Sequence, residues 1–178
     1  MTVRTSMAEL ITQVRTLIGD PTGTDQAMTD QEIQNAMDVH RWEARYMPLG
    51  GLVSYEAGVA VYKTWQASFG QWEGDAVLSD AQHKTLTPST ADYATGRWTF
   101  SDSQMGVYLT GWAYDLYAAA ADLLEAWAAK VSVEFDFTAD GSSFHRSQKG
   151  EALRKLAAEY RRRQRVSIVS QVRSDVRC

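Results

Sequence analysis

The sequence predicts an α+β chain that is mainly α: a four-helix bundle, a small antiparallel β insertion between the second and third helices, and an extended C-terminal tail. Three observations predict it. Apolar residues recur at helical spacing near both ends of the 178-residue chain. Eight of the twelve glycines fall between Gly50 and Gly111, among short period-2 stretches. After Val166, β-branched and polar residues mix without a helical stripe.

The first helix opens at Ser6-Met7-Ala8-Glu9, which has the pattern of a capping box. Met7, Leu10, Ile11, Val14, Leu17 and Ile18 then form one apolar stripe, and Gly19-Asp20-Pro21 stops the helix. A polar loop from Thr22 to Met28 leads to a second capping box, Thr29-Asp30-Gln31-Glu32. Ile33, Ala36, Met37 and His40 follow on one face, so residues 1–42 read as a helical hairpin.

Residues 43–110 read as the β insertion. Val59, Val61, Lys63 and Trp65 share one parity, Trp98 and Phe100 alternate with Arg97 and Thr99, and Val107 and Leu109 alternate with Tyr108 and Thr110. Of the six tryptophans, Trp65, Trp72 and Trp98 in the insertion are candidate interface anchors. The other reading is a thin sheet that fills its own core with aromatics.

Helix returns from about Gly111, and residues 111–165 complete the bundle. Leu116, Ala119, Ala120, Leu123, Leu124, Trp127 and Val131 form a long apolar face around the helix-forming run Ala118–Ala121. An extended or turn segment, Glu134 to Gly141, precedes a last helix from about Ser143 through Leu153, Leu156, Ala157 and Tyr160 to Arg165. Residues 166–178 read as an extended tail that orders on binding.

The composition is ordinary, with 44% apolar and 22% charged residues, but the net charge of −4 hides a segregation. Residues 145–178 carry ten basic and three acidic side chains, a balance of +7 that leaves −11 for the rest. Such a split suits head-to-tail contact between copies, an acidic partner or nucleic acid; an ordinary solvated helix face is the plainer reading. One cysteine, Cys178, excludes a disulfide framework and a cysteine-built zinc site. No run approaches the ~18 apolar residues of a membrane span, and Met1-Thr2-Val3-Arg4 lacks the apolar core of a signal peptide.

No catalytic constellation stands out, and no cofactor is expected. His40, His83 and His145 are far apart in sequence. Asp136, Asp140 and Gly141 lack the alternating ligands and closing glutamate of an EF-hand, and no phosphate-binding glycine loop occurs. Cys178 has no base nearby in sequence.

The stretch Tyr114-Asp115-Leu116-Tyr117-Ala118-Ala119-Ala120-Ala121-Asp122-Leu123-Leu124-Glu125-Ala126-Trp127, continued by Phe135-Asp136-Phe137-Thr138-Ala139-Asp140-Gly141 and Arg146-Ser147-Gln148-Lys149, resembles the C-terminal half of the head–tail connector (adaptor, or head-completion) proteins of tailed bacteriophages. The first helix ending at Gly19-Asp20-Pro21, the opening Thr29-Asp30-Gln31-Glu32-Ile33 and the segment Thr87–Phe100 fit the same layout. The resemblance covers residues 5–165. It implies a structural virion protein without catalytic residues, made in the host bacterial cytoplasm and located in the neck. Such adaptors form a homo-oligomeric ring, usually of twelve copies, beneath the portal protein. The ring extends the DNA channel and receives the next stopper or tail-completion protein.

On that reading Arg154, Lys155, Arg161, Arg162, Arg163 and Arg165 are expected at the subunit or portal interface. Ile168, Val169, Val172 and Arg173 of the tail are expected there as well. Packaged DNA would pass without sequence-specific binding, along an acidic or mixed wall, because a basic lumen would hold phosphates. No membrane is implied. Alternatives are another neck component, either a stopper or a tail-completion protein. A DNA-binding module lacks a groove-reading unit here, and an enzyme would need a site assembled from residues scattered along the chain.

Overall fold

The computed structural model describes residues 2–132, 137–139, 142–144 and 146–165. In chain order the elements are α1 (Ala8–Ile18), α2 (Asp30–Val39), β1 (Arg41–Pro48), β2 (Gly50–Glu56), β3 (Val59–Gln66), β4 (Val77–Ser79), β5 (Thr85–Leu86), β6 (Thr90–Asp92), β7 (Arg97–Thr99), β8 (Tyr108–Tyr114), α3 (Leu116–Ser132), β9 (Phe137–Ala139), β10 (Ser142–Phe144) and α4 (Arg146–Arg163).

The expected mainly α four-helix bundle is overturned. Strands occupy nearly as much of the described chain as helices do, and eight of them build two four-stranded antiparallel sheets, ordered β1-β8-β4-β5 and β2-β3-β7-β6. The physical reason is that the apolar residues between α2 and α3 close a core of their own. Trp65, Trp72, Leu78, Trp98, Phe100, Val107 and Leu109 are buried together there. Those residues come from both sheets, and the chain crosses from one sheet to the other at Leu49, between β1 and β2.

The strand region is also wider than expected. Residues 111–114, expected to begin the third helix, form the end of β8 and pair with Arg41–Ala44 of β1. Trp72 adds a bridge to Ala113. The helix starts only at Leu116, where the Asp115 carboxylate accepts from the Ala118 amide at 3.0 Å and caps it.

A second core belongs to the helices. α3 packs against α1, α2 and α4. Ala119, Ala120 and Ala121 are fully buried, because their small side chains let neighbours approach from more than one side. Leu10, Val14 and Ile18 of α1, Ile33 and Met37 of α2, and Leu153, Ala157 and Tyr160 of α4 close round it.

Local chemistry sets the helix ends. Gly19 takes the left-handed conformation (φ 67°) that ends α1. The Thr29–Glu32 capping box forms as the sequence predicts. The Ser6–Glu9 box does not form, because Ser6 lies in a 3-10 turn (Thr5–Met7) and its hydroxyl donates to Glu73 Oε1 at 2.6 Å. Glu73, 2% exposed, also accepts from Arg4 Nε at 2.9 Å and from the Tyr114 hydroxyl, which ties the start of the chain to the strand region.

Candidate assembly surfaces

The residues of α4 separate into a buried stripe and the basic residues expected at an interface. Leu153, Ala157 and Tyr160 recur at core spacing and face α3. Arg154 and Arg161, and Lys155 and Arg162, are each two turns apart and make two exposed basic rows beside that stripe.

Not all of these cations face outward unengaged. Arg161 is bound within its own chain: its guanidinium donates to both Glu125 oxygens at 3.0 and 2.8 Å and to Asp122 at 2.9 Å. That forked contact raises the Arg161 pKa and holds the Glu125 carboxyl below the usual carboxylate range. Asp122 also meets His40 Nε2 at 2.6 Å, so one carboxylate joins the end of α2 to α3 and α4. Arg163 pairs with Glu159 one turn earlier.

Arg165 is anchored to the strand region. It donates to the Gly70 carbonyl at 2.8 Å and lies 4.6 Å from the centre of the Phe69 ring. Burial lowers its pKa, against the opposing charge of Asp115. The anchor sits at a cleft of about 470 Å³ whose lining includes Leu17, Gln71, Tyr117 and Arg163. Gly70 is obligatory at this place, since a Cβ on it would stand 1.9 Å from the Ala94 carbonyl oxygen.

Arg154, Lys155 and Arg162 remain exposed, and among the described residues they meet no carboxylate at ion-pair distance. The acidic counterpart lies in the same helical region. Asp25 and Asp30 are exposed in the loop before α2 and at its first residue, followed by Glu32. Asp30 accepts from the buried Arg15 at 2.6 Å, and Glu32 from Lys130 at 3.1 Å. α3 contacts α1, α2 and α4, and the Tyr160 hydroxyl of α4 also reaches α1, donating to the Leu17 carbonyl at 2.9 Å.

Trp65, Trp72 and Trp98 are 7%, 1% and 0% exposed, so the structure places them in the strand core and not on a docking face. Trp72 stacks on Phe69 at 5.0 Å and meets Trp98 edge-on at 6.4 Å. These indoles share that core with Leu78, Phe100, Val107 and Leu109. Ile168, Val169, Val172 and Arg173, with the rest of 166–178, lie outside the described residues, as do Asp136, Asp140, Gly141 and His145.

The surface that sequence reasoning missed is the β2–β3 hairpin. All seven residues of β2 are exposed. Leu52, Val53 and Tyr55 present 41%, 51% and 72% of their surface, and Val59 and Tyr62 on β3 present 64% and 41%. Pairing of β3 with β7 stops at Thr64, and the amides of Phe100 and Gln104 still donate to the Lys63 and Tyr62 carbonyls, so the hairpin is a two-stranded ribbon from Val61 to its turn. Its turn places Ala57 (φ 48°) and Gly58 (φ 82°) in the left-handed region, the conformation of a tight hairpin turn. The available signal was Leu52-Val53-Ser54-Tyr55, apolar on both parities, set before Ala57-Gly58.

Among the described residues no group of three or more His, Cys, Asp or Glu could hold a metal ion, and no helix is long and apolar enough to cross a membrane. Comparison with protein-family models, curated proteins and solved structures finds no match.

Proposed function

We propose that this chain is a structural virion protein, a head-to-tail adaptor whose copies form a ring under the portal, extend the DNA channel and join the capsid to the tail. Its partners on this reading are other copies of itself, the portal protein and the next neck component. Packaged DNA passes through without sequence-specific contact. The observation that carries the reading, beside the resemblance of residues 5–165, is the placement of opposite charge on the helical region. Arg154, Lys155 and Arg162 are exposed on α4, and Asp25 is exposed in the loop before α2, followed by Asp30 and Glu32, which pair with Arg15 and Lys130 of their own chain.

Two unlike patches on one subunit fit a heterologous contact, which closes into a ring when the rotation between copies allows it. Complementary charge there would fix register and suppress wrong pairings more than it would add affinity. Arg161 and Arg163 make ion pairs within the chain, whereas Arg154, Lys155 and Arg162 of α4 are exposed with no carboxylate at ion-pair distance among the described residues.

The test is a charge reversal. Arg154→Glu, Lys155→Glu and Arg162→Glu together should leave the fold intact and stop the chain from adding to portal-bearing particles. A second variant that also carries Asp25→Lys should recover part of the addition. Unimpaired addition by the triple variant would remove the charge split from the account.

A further inference from the structure

We infer that β2 is an acceptor edge, and that it takes residues 166–178 of a neighbouring copy as an added antiparallel strand. The inference deepens the ring reading and rests on it, in that it names a second contact between adjacent subunits.

The acceptor is defined by β2. It is the first strand of its sheet, so one side of its backbone pairs with β3 and the other has no strand beside it among the described residues. Protein edges are usually blunted by lysine, proline or a short strand. β2 is seven residues long, contains no lysine or proline, and carries only one charge, Glu56, which Lys63 of β3 contacts at 2.6 Å. Both of its faces carry exposed apolar side chains, Leu52 on one and Val53 and Tyr55 on the other. A two-stranded ribbon is marginal by itself in water, and a third strand with apolar side chains would complete it.

The donor is defined by length, chemistry and the point from which it starts. Thirteen residues follow Arg165. Fully extended they reach about 43 Å, whereas covering seven residues of β2 takes about 24 Å. Val166, Ile168 and Val172 share one parity and Val169 lies on the other, so an added strand would bring β-branched residues to both faces of the ribbon. No other stretch outside the described residues has this length.

The anchor at Arg165 decides between the chain's own edge and a neighbour's. Arg165 is held by Gly70, four residues past Gln66, and Gln66 pairs with Gly50 at the start of β2. A tail that turned onto its own β2 from there would run in the same direction as β2. Every strand pairing in the described residues is antiparallel, and parallel pairing is slightly weaker per residue. A neighbour's tail can arrive from the Ala57–Gly58 end and pair antiparallel. One donor and one acceptor on different surfaces of each copy is also the arrangement that a closed heterologous ring requires.

Complementation between full-length variants tests this. Val53→Lys with Tyr55→Lys blocks the acceptor at two exposed positions, and Ile168→Asp with Val172→Asp spoils the donor. Self-association of each would be followed by sedimentation velocity, with circular dichroism to confirm folding. Each variant alone should associate at least tenfold more weakly than the unaltered chain. Their equimolar mixture should recover a one-to-one complex, since one supplies the tail and the other the edge. No complex in the mixture would overturn the inference. So would undiminished association of either variant, or an unaltered chain that stays monomeric at concentrations up to those of particle assembly. Each variant should also be mixed with portal particles. If rings still form there while the mixture shows no complex, the strand addition is wrong and the ring reading survives. If the unaltered chain adds no ring to portal, the ring reading itself fails.

Discussion

The hydroxyl of Tyr114, at the end of β8, donates to the buried carboxylate of Glu73, which also takes bonds from Arg4 and Ser6. The Arg4 guanidinium reaches on to Asp38 of α2 at 2.7 Å. One side chain, 2% exposed, thus links the first residues, the strand region and α2. Glu73→Ala should cost about 3–5 kcal/mol, because it strands several polar groups in the interior. Tyr114→Phe, which removes one donor, should cost about 1–3 kcal/mol. Urea unfolding of the two variants would give both values, and a loss below 1 kcal/mol for Glu73→Ala would show the network to be incidental.

The same tyrosine predicts an alkaline limit. Burial, and then the bond to Glu73, raise the Tyr114 pKa above the ordinary tyrosine value. A tyrosine in the unfolded chain loses its proton near pH 10, before the folded one does. The unfolded state therefore gains from deprotonation first. The contribution of Tyr114 is fully present below about pH 10 and declines as pH rises from there toward its folded pKa. Melting temperatures from pH 8 to 11 should fall more steeply for the natural chain than for Tyr114→Phe. Parallel curves would contradict this.

Arg15 and Asp20 form a second buried pair, 3.1 Å apart, at the end of α1. Asp20 also accepts from the amides of Ala27 and Met28 at 2.7 and 2.9 Å, so it folds the loop back toward α2. Asp20→Ala should destabilise by about 3–5 kcal/mol. By contrast, Arg161→Ala removes exposed pairs with Glu125 and Asp122 and should cost less than about 1 kcal/mol, with a difference that shrinks in high salt. Denaturant midpoints of the two variants at low and high salt would separate the cases.

The hairpin turn gives a prediction of opposite sign. Ala57 holds a left-handed conformation (φ 48°), which costs an ordinary residue about 1–2 kcal/mol. Ala57→Asn suits that conformation and should raise stability by up to about 1 kcal/mol. A calorimetric scan showing a lower melting temperature would contradict the turn geometry.

The features that could be read from the sequence are those decided within a few residues. The Thr29–Glu32 box spans four residues, and Gly19 needs only its own φ. Ser6–Glu9 has the same local pattern and fails, because Glu73, 67 residues away, takes the serine hydroxyl. β4 to β7 are two or three residues long, too short for periodicity to register, so the strand region looked like a small insertion. Tryptophan type alone did not distinguish a docking anchor from core, and the two-sided apolar character of β2 gave no period to detect. For the basic residues, sequence located the charge on α4 but not the partners of Arg161 and Arg165. Those partners lie 36 and 95 residues away.

On the proposed function this chain adds a ring beneath the portal. Negative-stain microscopy of the chain mixed with its portal, followed by averaging of end-on and side views, tests it most directly. An extra ring coaxial with the portal is the expected result, absent for the Arg154→Glu, Lys155→Glu, Arg162→Glu variant. Portal particles that stay unchanged in the presence of folded, natural chain would contradict it.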